Sequence, residues 1–119
     1  MKTMLRTVND HGVTYDALMF ACPGCAAGGP EEYEGIHMLP VNAENIDKPS
    51  WNWNGDLESP TLEPSILTHG GPNYPTCHSY LRDGIFEFLT DSTHPLSGQH
   101  VPIPDLPEWA AELSSDDDG

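Results

Sequence analysis

The chain has 119 residues, room for one ordinary domain and too little for two. Its 19 acidic residues against 4 basic ones give a formal charge of -15, which argues against direct contact with a nucleic-acid backbone. Leu, Ile, Val and Phe make up only about 19% of the chain, so apolar burial alone is a thin basis for a fold.

No apolar run nears the roughly 20 residues of a membrane span, and the N-terminus carries no signal-peptide core, so a soluble protein of the cytoplasm is expected. The cysteine count is 3, two of them in Cys22-Pro23-Gly24-Cys25, which does not suit the even-numbered disulfide framework of a small secreted domain. Metal ligation is the better reading.

In chain order, residues 3–8 and 13–20 read as strands joined by the polar turn Asn9-Asp10-His11-Gly12. Residues 26–35, with Gly28-Gly29-Pro30, read as a loop, and 36–41 as a short strand carrying His37. After a second loop, Trp51-Asn52-Trp53 places both indoles on one side of an extended segment. Pro60 and Pro64 bracket an edge segment that continues as a strand over 65–68. The clearest hairpin is 77–82 and 85–90 around Asp83-Gly84, a pair suited to the positive φ values of a type I′ turn. A short helix is expected over 106–113, capped by Asp105, with Leu106, Trp109, Ala110 and Leu113 on one face. The acidic residues 114–119 are expected to be a disordered tail.

A tight Cys-Pro-Gly-Cys turn aims two thiolates at one ion, and zinc then needs two further ligands. Cys77 is the remaining thiol, so the ion would tie the early turn to the late hairpin. The fourth ligand is expected to be His37, with His78 as the alternative and His69 and His94 behind them. Successive strand residues point to opposite faces, so a ligating Cys77 in a regular strand aims His78 away from the ion.

Three other chemistries compete. A glutaredoxin-like dithiol needs a helix after Cys25, and Ala26-Ala27-Gly28-Gly29-Pro30 reads as one that would stop within its first turns. A zinc deaminase needs His-x-Glu before Pro-Cys-x-x-Cys, and both halves are missing. A metal-dependent hydrolase could use an open zinc position near Asp91, His94 and His78, although Asp91-Ser92-Thr93-His94 also reads as a capped turn. Separately, the acidic surface could imitate nucleic acid and bind a basic partner. His11 and His100 are expected to be exposed, and Trp51, Trp53, Phe86 and Phe88 to serve packing.

The series Cys22-Pro23-Gly24-Cys25, Trp51-Asn52-Trp53-Asn54-Gly55-Asp56, Pro60-Thr61-Leu62-Glu63-Pro64-Ser65, Cys77-His78-Ser79-Tyr80, Asp83-Gly84-Ile85 and Asp91-Ser92-Thr93-His94 resembles a small phage and prophage family of unknown function. Members are sometimes labelled ammonia monooxygenase, a name that this length and composition do not support. The resemblance covers roughly residues 20–105 and implies phage origin and a Cys/His metal site, without a reaction.

The expectation is therefore a mainly β, single-domain, zinc-stabilised sheet protein spanning 1–113, with a short C-terminal helix. Its metal ligands would come from Cys22, Cys25, His37, Cys77 and His78, with no catalytic residue assigned. Its expected role is that of a phage-encoded accessory protein in the host cytoplasm. It would act by contact with a host protein or defence system, without binding nucleic acid or membrane.

Overall fold

The structure, a computed structural model, describes residues 1–44, 46–69 and 71–112; the expected acidic tail and the end of the expected C-terminal helix lie outside them. Strands β1 (Met4–Asp10) and β2 (Val13–Ala21) form an antiparallel hairpin. Its two turn residues, His11 and Gly12, sit at φ 53° and 88°, the positive values a two-residue primed turn requires. After β2 the chain forms a short helix α1 (Pro23–Gly28), then β3 (Ile36–Pro40), which pairs with the other edge of β2.

β1 alternates half-buried and exposed residues, whereas β2 is buried continuously from Ala17 to Ala21. The cause is packing on both of its faces. Leu18 and Phe20 enter the main core, while Met19 packs with Leu106 and Ala110 on the other side. Fully burying each such side chain contributes about 1.5–3 kcal/mol, so the thin apolar composition is concentrated where it counts.

The second sheet is antiparallel throughout, with the order β4 (Asn52–Trp53), β5 (Leu62–His69), β6 (Thr76–Arg82), β7 (Ile85–Phe88) and β8 (His100–Pro102). Asp83 and Gly84, at φ 51° and 75°, make the expected turn between β6 and β7. β6 alternates cleanly: Cys77, Ser79 and Leu81 are buried, while Thr76, His78 and Tyr80 lie on the other face. Phe86 and Phe88 of β7 stack at 5.4 Å, and Phe20 reaches Phe86 from the first sheet. A parallel bridge between Val41 and Trp51 links the two sheets.

β5 departs from regular pairing in one place. Leu62 opposes Leu81 and Ile66 opposes Ser79, so Glu63, Pro64 and Ser65 face a single residue, Tyr80. Pro64, which has no N–H to give a ladder, lies in the middle of this bulge.

Four differences from the sequence reading have local causes. Residues 23–28 form a helix where a tight turn at 22–25 and a loop from 26 were expected, because Pro23 fits the first helical position and Cys22 caps it, until Gly28-Gly29 ends it. β7 stops at Phe88, since Leu89 and the chain after it turn to cover β6. β8 carries too few residues to signal itself and exists because Ile85–Glu87 offers it an edge. Helix α2 (Glu108–Glu112) starts later than expected, and Trp109 is half exposed, its indole N–H donating to Glu34 at 2.6 Å. No helix among the described residues is long and apolar enough to cross a membrane.

Candidate functional site

The chemistry of this fold is divided between the two faces of β6. Cys77 points into the space between the sheets, and its neighbour His78 points out of it.

On the inner face, Cys22 closes β2, Cys25 sits in α1 and His37 lies on β3. Ligand atoms of these three residues all lie within 4.8 Å of one another. Cys25 Sγ is 3.3 Å from His37 Nε2, and Cys22 Sγ is 3.7 Å from Cys77 Sγ. Two thiolates bound tetrahedrally at about 2.3 Å would have sulfurs about 3.8 Å apart, so the spacing suits one shared ion. All three cysteines are buried and none forms a disulfide. Cys22, Cys25 and His37 make a group that could hold a metal ion, and Cys77 of the second sheet adjoins it through Cys22.

Proton affinities in this pocket follow from the same crowding. Hydrogen bonding from Cys22 and then Cys77 holds the Cys25 thiol far below its usual range, with His37 adding to the effect. Cys22 is pushed up to about 12, chiefly by its hydrogen bond to Cys25. Cys77 is pushed up by its bonds to Cys22 and Cys25 and by burial. The crowding thus favours one thiolate, on Cys25; a divalent cation bound here would supply the charge for the other two to ionise.

His94 lies buried against this cluster, its Nε2 3.3 Å from Cys77 Sγ and its ring edge-on to Phe88. The Leu96 N–H donates to His94 Nδ1 at 3.2 Å, so the proton of the neutral ring sits on Nε2 and faces the sulfur. Burial lowers the pKa of His94, in keeping with that neutral form. His94 therefore donates to Cys77 and is not placed as an open-site ligand. Gly24 makes room for it, because a methyl there would overlap the His94 ring and Phe88.

On the outer face stands a different constellation. His78 Nε2 is 3.1 Å from Ser65 Oγ, and His78 Nδ1 is 2.9 and 3.2 Å from the two carboxylate oxygens of Asp91. Serine, imidazole and carboxylate form one hydrogen-bonded line, the arrangement of a nucleophile, its base and the group that orients the base.

Each member is held by the local fold. The bulge in β5 brings Ser65 diagonally beside His78, and the Trp51 indole N–H donates to the Ser65 carbonyl at 3.2 Å. The Ser92 hydroxyl accepts from the His78 N–H at 3.0 Å and donates to the His78 carbonyl at 3.1 Å. Thr93 clamps Thr76 the same way, its N–H reaching the Thr76 carbonyl and its hydroxyl accepting the Thr76 N–H. The segment Asp91-Ser92-Thr93-His94 thus docks alongside β6, with Asp91 facing His78 and His94 facing Cys77.

These positions correct two expectations. His78 is not a metal ligand: both its ring nitrogens are engaged by Ser65 and Asp91, on the face of β6 opposite the thiols. Nor do Asp91, His94 and His78 share an open metal position, since Asp91 and His94 lie on opposite sides of that strand. His69 bonds the Thr76 hydroxyl through Nδ1 at 3.2 Å and lines the cavity beside Cys25 and His37, outside the close group of Cys22, Cys25 and His37. Ser65 went unread in the sequence as a nucleophile. The available signal was the order Ser65, His78, Asp91 within one short stretch, with His78 already expected to face away from Cys77.

The family whose model matches residues 2–89 is described as bacterial ubiquitination-like system serine protease (BubE). That span includes Ser65 and His78 and ends two residues before Asp91. No curated protein and no solved structure matches the chain. The expectation of a non-enzymatic accessory protein, whether a host-factor inhibitor or an acidic mimic, is overturned by this match. The metal-dependent hydrolase alternative stands closer to that description, which names a serine protease and no zinc chemistry. The chain belongs to the BubE family of bacterial ubiquitination-like system serine proteases.

Proposed function

We propose that this protein hydrolyses peptide bonds within a bacterial ubiquitination-like system, with Ser65 as nucleophile. The reading rests on the hydrogen-bonded line from Ser65 through His78 to Asp91. Ser65 Oγ attacks the scissile carbonyl carbon as its proton passes to His78 Nε2. Asp91 holds the ring with its other proton on Nδ1 and stabilises the imidazolium. His78 then returns the proton to the departing amine, leaving an acyl group on Ser65. Water, deprotonated by the same imidazole, releases that acyl group and restores the serine.

Cys22, Cys25, Cys77 and His37 would hold a structural zinc ion, whose contribution is a cross-link between the two sheets directly beneath His78. The support is the close group of Cys22, Cys25 and His37, with Cys77 Sγ 3.7 Å from Cys22 Sγ as a fourth protein donor, since four protein ligands are the pattern of a structural site.

The test is the pre-steady-state burst of nitrophenol from p-nitrophenyl acetate, followed for wild type and for Ser65→Ala, His78→Ala and Asp91→Ala. The expected result is a burst in wild type, none in Ser65→Ala, and acylation slowed by about a thousandfold or more in the other two. A burst that survives Ser65→Ala would reject Ser65 as the nucleophile.

A further inference from the structure

The catalytic line runs across the sheet from the Asp91 side, through His78 on β6, to Ser65 on β5; there the Trp51 indole covers the Ser65 carbonyl, and from Leu67 to His69 no strand among the described residues pairs with the far edge of β5. β4 pairs with β5 only at Leu62 and Glu63. The inner edge of β5 follows from the hydrogen bonds of β6. His78 and Thr76 send their carbonyls toward Leu89 and Thr93, so it is Cys77 and Ser79 that face β5, opposite Thr68 and Ile66. The Leu67 and His69 backbone groups therefore point the other way, toward the free edge. The Ser65 carbonyl does too, since it is there that it meets the Trp51 indole. Among the described residues Leu67 has no backbone partner on that side, and the residue is 51% exposed.

We infer that the outer edge of β5 from Ser65 to His69 is the substrate cleft, and that it takes an extended, non-acidic peptide segment as an added β-strand. This rests on the serine-protease reading above and specifies its substrate. Three observations favour that occupant. The edge is continuous with the nucleophile, so a strand laid along it carries its own carbonyls past Ser65 Oγ. His78 approaches that oxygen from the β6 side, which leaves the edge side for the electrophile. The outward N–H and C=O of Leu67 and His69 are the pattern an extended main chain satisfies, and the span accommodates about four residues at about 3.3 Å each. Leu67 adds an apolar contact on the face it shares with His78. The formal charge of -15 disfavours acidic segments.

The probes are diphenyl phosphonates carrying one to four residues, with matched versions N-methylated on one backbone amide, and a small alkyl fluorophosphonate that has no peptide. Phosphonylation of Ser65 is read by intact mass. The expected result is a rate that rises at least tenfold from the one-residue to the four-residue probe and falls at least tenfold when an amide that pairs with Leu67 is methylated. A version carrying Glu residues is expected to react more slowly than its Gln counterpart. In Leu67→Pro, which removes the outward N–H at an edge position where proline is tolerated, the ratio of four-residue to small-probe rates should fall at least tenfold. If that variant does not fold, the methylation series on wild type decides. Rates independent of length and methylation would overturn the strand-addition cleft while leaving the triad intact. A preference for the Glu probe would overturn the non-acidic assignment, and failure of even the small fluorophosphonate to modify Ser65 would overturn the triad itself.

Discussion

Replacing Cys77 by alanine separates a metal centre from an ordinary buried thiol. Cys77 is buried, and its sulfur contacts Cys22 and His94 at 3.7 and 3.3 Å. As a plain core residue it loses little more than one buried sulfur, about 1 kcal/mol. As one of four ligands it gives up about a quarter of the roughly 10–16 kcal/mol that a structural zinc can contribute, or about 2.5–4 kcal/mol. At about 3–6 °C per kcal/mol for a chain of this size, the metal reading places the Tm drop at about 10–20 °C and the plain-thiol reading at about 5 °C. Thermal unfolding by circular dichroism, with metal content measured by mass spectrometry on the same samples, distinguishes them. Wild-type protein that carries no metal, unfolds at the same temperature with and without chelator, and loses only about 1 kcal/mol on Cys77→Ala would refute the metal centre.

Other expectations follow from single contacts. Asp91→Asn keeps the shape of the line but removes the carboxylate that fixes the His78 tautomer, so kcat should fall by about 10⁴ with little change in Tm, by steady-state kinetics. Trp51→Phe deletes the indole bond to the Ser65 carbonyl and should cost about 0.5–1.5 kcal/mol in unfolding together with slower acylation; unchanged values for both would deny Trp51 a part in holding the nucleophile. Gly24→Ala forces a methyl into the His94 ring and should lower both metal retention and Tm, which equilibrium dialysis and calorimetry would record. The metal-bound state holds fewer protons than the unfolded chain, so its stability should rise with pH and be lost on acidification as the ligands reprotonate; a chelator-treated sample should lack that component.

The legible parts of this molecule are those set by local residue chemistry. Asp83-Gly84 announced its hairpin because few other pairs tolerate two positive φ values in succession, and Cys22-Pro23-Gly24-Cys25 announced paired thiols. The two-residue period of a strand was enough to expect Cys77 and His78 on opposite faces. What escaped depends on distant geometry. Ser65 meets His78 only because two extra residues in β5 between Leu62 and Ile66 shift it against β6 and bring its hydroxyl diagonally to the imidazole. Asp91 and His94 are three positions apart, and nothing local states that β6 passes between them. The helix after Cys22 was hidden by the Gly-rich segment that ends it, although Pro23 and the Cys22 cap favour its start. A triad divided between a bulged strand, its neighbour and a docked loop has no contiguous motif to read.

The central claim is that Ser65 is activated by His78 and Asp91 on the outer face of the strand whose inner face carries Cys77. Its most direct measurement is the rate at which a small fluorophosphonate modifies the native protein, with the adduct mapped by peptide mass spectrometry. The account requires a single adduct on Ser65, formed at least a thousandfold faster than in His78→Ala. An adduct on any other residue, or equal rates in the two proteins, would contradict it.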